Sequence, residues 1–133
     1  MGRSELREHI FKMVFGVEFN AEEELTAQLN LYLDQLEDVS EKDRDYMLNK
    51  AKAVIKKLAE IDALLNASAE GWKTSRMNKV DLTILRLAVY EMRWDEDVPV
   101  KVAINEAVEL SKRFSGDGGP AFINGVLGKL AEA

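Results

Sequence analysis

The sequence contains no cysteine, a single histidine and only two prolines, and these scarcities exclude several kinds of protein. Without cysteine the chain has no disulfide, no thiolate zinc site, no iron–sulfur cluster and no cysteine nucleophile. No apolar run approaches the ~20 residues that a membrane-spanning helix needs, and residues 1–10 are too polar for a secretory signal. These absences predict a cytoplasmic protein that does not enter a membrane.

The remaining composition predicts one folded domain. The chain has 133 residues, of which 47% are hydrophobic, enough to bury a core. Its net charge of −6 argues against nucleic-acid binding by bulk attraction, although one basic face could still bind RNA. Apolar residues recur at helical spacing, and no segment alternates with the two-residue period of a strand. We therefore predict a single all-α domain over residues 1–133.

Six helices are predicted, and their starts carry suitable capping residues. The third is predicted to be long, with one apolar face from Met47 to Leu65. Ser40 lies three residues before an aspartate, as in a capping box, at the start of this helix. Asn78 is predicted to cap the fourth helix, with Asp81 in its first turn at the positive end of the helix dipole.

The segment FSGDGGPAFINGVLGKL, residues 114–130, joins a glycine-rich stretch to a helical pattern. It lacks the G-x-x-x-x-G-K-[ST] pattern, so it is not a nucleoside-triphosphate loop. One interpretation is a bent connection, in which a helix ends at Gly116 and the next starts after Pro120. The other is glycine backbone before a helix N-terminus that holds one phosphate or base edge. Phe122 is then either buried or stacked on an unpaired base.

No residue set in the sequence predicts catalysis or a metal site. His9 has no nucleophile signature beside it, so it is interpreted as a helix-surface residue or a neighbour of bound RNA. One histidine and no cysteine leave only carboxylates as metal ligands, and no D-x-D-x-D-G loop is present. We predict no catalytic residue, no metal and no cofactor.

Polar residues inside apolar runs are predicted to have structural roles. Arg86 lies between two leucines, and Asn105 and Glu106 lie within VAINEAVEL. An unpaired buried charge is very costly, so such a residue needs a partner. We predict that Arg86 pairs with Glu106 or with Glu91.

Several long segments resemble the bacterial transcription antitermination factor NusB family. They are RSELREHIFKMVFGVEF at the start, WKTSRMNKVDLTILRLAVYEM, VPVKVAINEAVEL and FINGVL. The resemblance implies an all-helical fold of two small bundles packed together, without enzymatic activity. Members of the family bind the boxA element of nascent ribosomal-RNA transcripts together with ribosomal protein NusE, in a complex on RNA polymerase.

The resemblance also implies two sets of site residues. The implied RNA-binding residues are Arg3, Arg7, Phe15, Asp117, Gly118, Phe122 and Asn124. The implied NusE-facing residues are Trp72, Arg76 and Asp81. The first helix has fewer arginines than many relatives, and Ala121 stands where some relatives have lysine. We therefore predict modest RNA affinity alone and a strong dependence on NusE.

Two alternative functions differ in class from this one. The small number of arginines in the first helix is compatible with a helical adaptor that binds only protein, with weak or no RNA binding. Similar helical domains precede some ribosomal-RNA cytosine methyltransferases, but no strand and glycine loop for a methyl donor is present here. Relatives occur as monomers and as dimers, so a homodimer remains open.

Overall fold

The structure, a computed structural model, describes residues 1–68 and 73–132. No strand occurs in these two stretches, which confirms the predicted all-α class. Short 3₁₀ turns occupy Gly16–Glu18, Glu22–Glu24 and Thr74–Arg76. The α-helices are α1 (Arg3–Phe15), α2 (Leu25–Asp34), α3 (Glu41–Lys56), α4 (Leu58–Ser68), α5 (Lys79–Trp94), α6 (Val100–Phe114) and α7 (Gly119–Glu132).

The chain divides into two compact units, Met1–Lys56 and Lys57–Ala133, and the single-domain assignment stays a prediction. In the first unit, α3 packs against both α1 and α2. The helical period buries one face of each of these helices. The buried side chains include Ile10, Val14, Leu29, Leu33, Met47, Ala51 and Val54.

In the second unit, α5 contacts each of α4, α6 and α7, and α6 packs along α7. Every residue from 81 to 89 is buried, so α5 is surrounded rather than amphipathic. The start of α5 has the predicted cap, since Asn78 Oδ1 accepts a hydrogen bond of 2.8 Å from the Asp81 amide. The largest buried side chains of this unit include Ile61, Leu65, Ile84, Leu85, Leu87, Ile123 and Leu127.

The long third helix predicted from the sequence is wrong, because two helices occupy that span. Helix α3 ends at Lys56 and α4 begins at Leu58, with Lys57 between them. No glycine or proline lies at this break, and the spacing of apolar residues continues across it. The sequence therefore gives no sign that the helix ends there. The predicted cap of α3 is confirmed, since the Asp43 amide donates to Ser40 Oγ at 3.1 Å.

Both prolines lie within one residue of their predicted positions. Pro99 is the N-cap of α6 rather than part of its first turn. Pro120 is the second residue of α7, which begins at Gly119 rather than after the proline. The first turn of a helix tolerates proline because its missing N–H has no partner there in any case.

Replacing Gly119 by alanine is expected to lower the free energy of unfolding by about 1–3 kcal/mol, because overpacking strains a close contact. A Cβ at this buried position would collide with the Ser115 side chain and lie 3.0 Å from Ser111 Oγ. Gly125, in the same helix, has nothing within 4 Å of such a Cβ. Gly125→Ala is therefore expected to stabilise the protein by about 0.5–1 kcal/mol, because alanine favours helix. Urea denaturation measures both, and a shift of the same sign in the two variants would contradict the packing argument.

Candidate nucleic-acid interface

An open cleft of about 400 Å³ lies beside the α6–α7 loop, and we call it the Phe122 cleft. It is lined by residues 76–78, Asp81, residues 117–119 and Phe122. Gly118 enters α7 with φ of 85°, a left-handed conformation that glycine adopts without steric cost. Phe122 follows in the first turn of α7 and is half-buried. The cleft therefore offers a ring, glycine backbone and charged side chains to a ligand.

A buried carboxylate ties the two walls of this cleft together. Asp81 is 8% exposed. Ser115, at the end of α6, donates to Asp81 Oδ1, and Asn78 Nδ2 donates to Asp81 Oδ2 at 2.8 Å. Asp81 therefore links the start of α5 to the α6–α7 loop, across 34 positions of sequence. Ser115 could not be predicted from the sequence, because only tertiary contact brings it to α5.

The cleft is lined by residues from two predicted sites, the RNA site and the NusE-facing set. Asp117, Gly118 and Phe122 come from the predicted RNA site, whereas Arg76 and Asp81 come from the predicted NusE-facing set. Arg76 and Asp117 are exposed, so their charges are available to a ligand. Asp81 is buried in the internal network, and its role as a NusE-facing residue stays a prediction.

The loop backbone is poorly suited to hold a phosphate. The Gly119 amide donates to the Gly116 carbonyl at 3.0 Å, and Pro120 has no amide hydrogen. The Phe122 amide donates to the Gly118 carbonyl, also at 3.0 Å. The geometry favours stacking on Phe122 over an anion site at the start of α7.

The predicted RNA residues of α1 differ in their exposure. Arg3 is exposed, whereas Arg7 is only 6% exposed, and the RNA-binding role of both residues stays a prediction. The half-buried Phe15 ring meets the Phe19 ring edge to face, with centroids 5.0 Å apart. Phe19 is 68% exposed and follows the turn after α1, where the helical period no longer identifies a face.

His9 belongs to a polar contact between α1 and α2. Its Nδ1 lies 2.7 Å from the Tyr32 hydroxyl, and the two rings meet edge to face. Burial raises the pKa of the Tyr32 phenol, and the nearby Glu8 carboxylate raises this pKa further. His9 thus packs within the first unit as a hydrogen-bonded helix residue.

The predicted structural polar residues have different surroundings. Arg86 forms two hydrogen bonds to the Asp62 carboxylate, at 2.9 and 2.8 Å, a partner that the sequence analysis did not name. A contact of Arg86 with Glu106 or Glu91 stays a prediction. Glu91 is 1% exposed and Glu106 is half-buried, whereas Asn105 is exposed. The structural role of Asn105 stays a prediction.

Trp72, a predicted NusE-facing residue, lies outside the described residues. Over residues 1–68 and 73–132, no three acidic or histidine side chains come together as a metal site. In the same stretches, no helix is long and apolar enough to cross a membrane.

The described residues form an all-helical protein with an open, partly aromatic cleft. The model of the NusB family matches residues 4–132, and the chain therefore belongs to the NusB family. It is 50% identical over 131 residues to the transcription antitermination protein NusB of Agathobacter rectalis, covering 98% of this chain and all of that protein. It is 46% identical over 132 residues to the NusB of Lachnoclostridium phytofermentans, covering 99% of this chain and all of the relative.

Solved structures share the fold over almost the whole chain. NusB of T. maritima superposes with a TM-score of 0.89 at 31% identity, over 99% of this chain and 92% of that one. A crystal structure of the antitermination factors NusB and NusE in complex with dsRNA has a chain with a TM-score of 0.85 at 18% identity. The latter match covers 98% of this chain and 96% of the other, and at this identity it shows the fold alone.

Proposed function

We propose that this protein binds boxA RNA of nascent ribosomal-RNA transcripts together with ribosomal protein NusE, and so promotes processive transcription by RNA polymerase without catalysing a reaction. The observation that carries the proposal is the Phe122 cleft, in which the predicted RNA loop and the exposed Arg76 line one surface. Membership of the NusB family over residues 4–132 supports it. The NusB, NusE and dsRNA complex provides a precedent on the same fold.

The chemistry of the cleft suits an unpaired RNA strand. A base can stack on the Phe122 ring, and the Arg76 guanidinium can pair with a phosphate. With a net charge of −6, the protein gains little affinity from counterion release. NusE is expected to raise the affinity by extending the RNA-binding surface, so that the binding of RNA and the binding of NusE are coupled.

The test is a titration of boxA RNA and a scrambled oligonucleotide of equal length, each with and without NusE. We expect weak binding of boxA alone, at least tenfold tighter binding with NusE, and a smaller gain for the scrambled strand. Equal affinity for boxA in the presence and absence of NusE would contradict the proposal.

Asp117→Asn is expected to raise the affinity for boxA RNA by about twofold to fivefold, because it removes an exposed negative charge from the cleft wall. The gain should shrink as salt is added, because salt screens exposed charges. The matched control is Asp97→Asn, an exposed aspartate of the α5–α6 connection that does not line the cleft. Fluorescence anisotropy at two salt concentrations measures both, and an equal gain in the control would show only an effect of net charge.

A protein-only adaptor is the second candidate function, and the burial of Arg7 favours it. Because Arg7 is buried, it adds little positive charge to the exposed surface of α1, and contact with phosphates requires such charge. Under this alternative the titration shows NusE binding with the same weak affinity for boxA and scrambled RNA.

A further inference from the structure

A groove between α1 and α2, within the first unit, has a largely apolar lining, and we call it the Leu31 groove. Its volume is about 210 Å³. Met13 lines it from α1, and Leu25, Leu29 and Leu31 line it from α2. Of the predicted RNA-binding and NusE-facing residues that the structure describes, none lines this groove. The groove therefore belongs to neither predicted site.

Two large apolar side chains are left exposed at this groove. Leu31 is 51% exposed, and Phe19 is 68% exposed. Phe19 lies in the turn between Gly16 and Asn20, which both line the groove. Over residues 1–68 and 73–132, these two are the most exposed large apolar residues. Apolar side chains within a polar surround are the composition of a protein–protein interface.

Unpaired negative charges border the groove. The 3₁₀ turn Glu22–Glu24 lies between Asn20 and Leu25, which both line the groove. All three glutamates are exposed, and within the part of the chain that the structure describes none of them forms an ion pair. Lys12, the basic residue of the lining, is paired with Glu8 at 3.3 Å. The border of the groove is therefore acidic.

The size and charge of the groove favour a basic protein as its occupant. Small-molecule sites have volumes of roughly 300–1,000 Å³, so this groove suits one inserted side chain better than a whole ligand. RNA phosphates would face the three unpaired glutamates and be repelled. A symmetric contact with a second copy would bring the same glutamates of both protomers together. Lysine or arginine of a partner would instead pair with them.

We propose that the Leu31 groove binds a basic segment of a partner protein. One large apolar side chain of that segment enters the groove beside Leu31 and Phe19, and flanking lysine or arginine side chains pair with Glu22–Glu24. The buried apolar side chain supplies most of the affinity, whereas the charge pairs speed association and exclude acidic partners. The proposal adds a protein contact to the proposed function and is independent of RNA binding.

The test titrates the full chain with three short synthetic peptides, followed by fluorescence anisotropy. The first carries a leucine flanked by lysines, the second has alanine in place of the leucine, and the third has glutamates in place of the lysines. We expect the first to bind at least tenfold more tightly than either of the others, because only it matches both the apolar lining and the acidic border. Its affinity should fall as salt is added.

Two groove variants and two matched controls locate the binding. Leu31→Ala is expected to weaken binding of the first peptide about tenfold, and its control is Val102→Ala, which removes apolar surface from an exposed position of α6. Changing Glu22–Glu24 together to glutamine should weaken binding about fivefold at low salt and less at high salt. Its control makes the same change in charge at three exposed glutamates outside the groove, Glu37, Glu41 and Glu96. Both controls should change the affinity less than twofold.

The outcomes divide as follows. Weaker binding in both groove variants, with both controls unchanged, supports the proposal. Failure of the first peptide to bind the unaltered protein overturns it, as does equal binding of the alanine or glutamate peptide. Equal weakening in a variant and its control overturns it too. If light scattering shows a dimer that Leu31→Ala dissociates, a second copy occupies the groove and the proposal is wrong. BoxA binding should be unchanged in Leu31→Ala, so the proposed function is tested separately.

Discussion

Replacing Asp62 by alanine is expected to lower the free energy of unfolding by about 2–3 kcal/mol. The change leaves Arg86, which is 9% exposed, without the carboxylate that accepts two of its hydrogen bonds. Removing one partner of a fully buried pair costs about 3–5 kcal/mol. The side chains of this pair are 11% and 26% exposed, so water recovers part of that cost. Urea or thermal denaturation measures the loss.

A matched control lies two residues away on the same helix. Glu60 forms an exposed ion pair with Lys57 at 3.4 Å, and Glu60→Ala is expected to cost less than about 0.5 kcal/mol. A double variant, Asp62→Leu with Arg86→Met, removes both charges and should recover much of the stability lost in Asp62→Ala. Equal losses for Asp62→Ala and Glu60→Ala would show that the Arg86 pair is worth no more than a surface contact.

Phe122→Ala is expected to weaken binding of boxA RNA about tenfold to a hundredfold, both with and without NusE. One base stacked on an aromatic ring contributes about 1–3 kcal/mol. The half-buried Phe122 ring is the aromatic group that lines the cleft. Fluorescence anisotropy with labelled RNA measures the change, and circular dichroism confirms that the helices persist.

Phe19→Ala is the matched control for this variant. It removes a ring that is 68% exposed and does not line the Phe122 cleft, so RNA affinity should change less than about threefold. Equal losses in the two variants would contradict the assignment of the stacking site to the cleft.

Local features of the fold could be predicted from the sequence because they depend on neighbouring residues. The cap at Ser40 and the cap at Asn78 each use an amide three positions along the chain. The α6–α7 connection was likewise predicted within a few residues from its glycines and Pro120. Each of these signals involves only a few neighbouring residues, so it does not depend on how the helices pack.

Features that depend on how helices pack could not be predicted in the same way. The partner of Arg86 is Asp62, 24 positions away on another helix, and periodicity does not say which helix faces which. The break between α3 and α4 at Lys57 coincides with the division of the chain into two units. No residue near the break indicates it in the sequence. Arg7 is likewise charged, which predicts a surface position, but its side chain is buried.

The Asp81 network couples the α6–α7 loop beside the Phe122 cleft to the first turn of α5. The α6–α7 loop cannot detach from Asp81 without breaking the Ser115 hydrogen bond, and Asp81 also holds the cap residue of α5. Loop opening is thereby coupled to fraying of the helix whose residues 81–89 are all buried. Local openings of this kind set the rate at which backbone amides exchange with deuterium. The hydrogen-exchange rate of the Asp81 backbone amide should therefore fall when an RNA strand occupies the cleft.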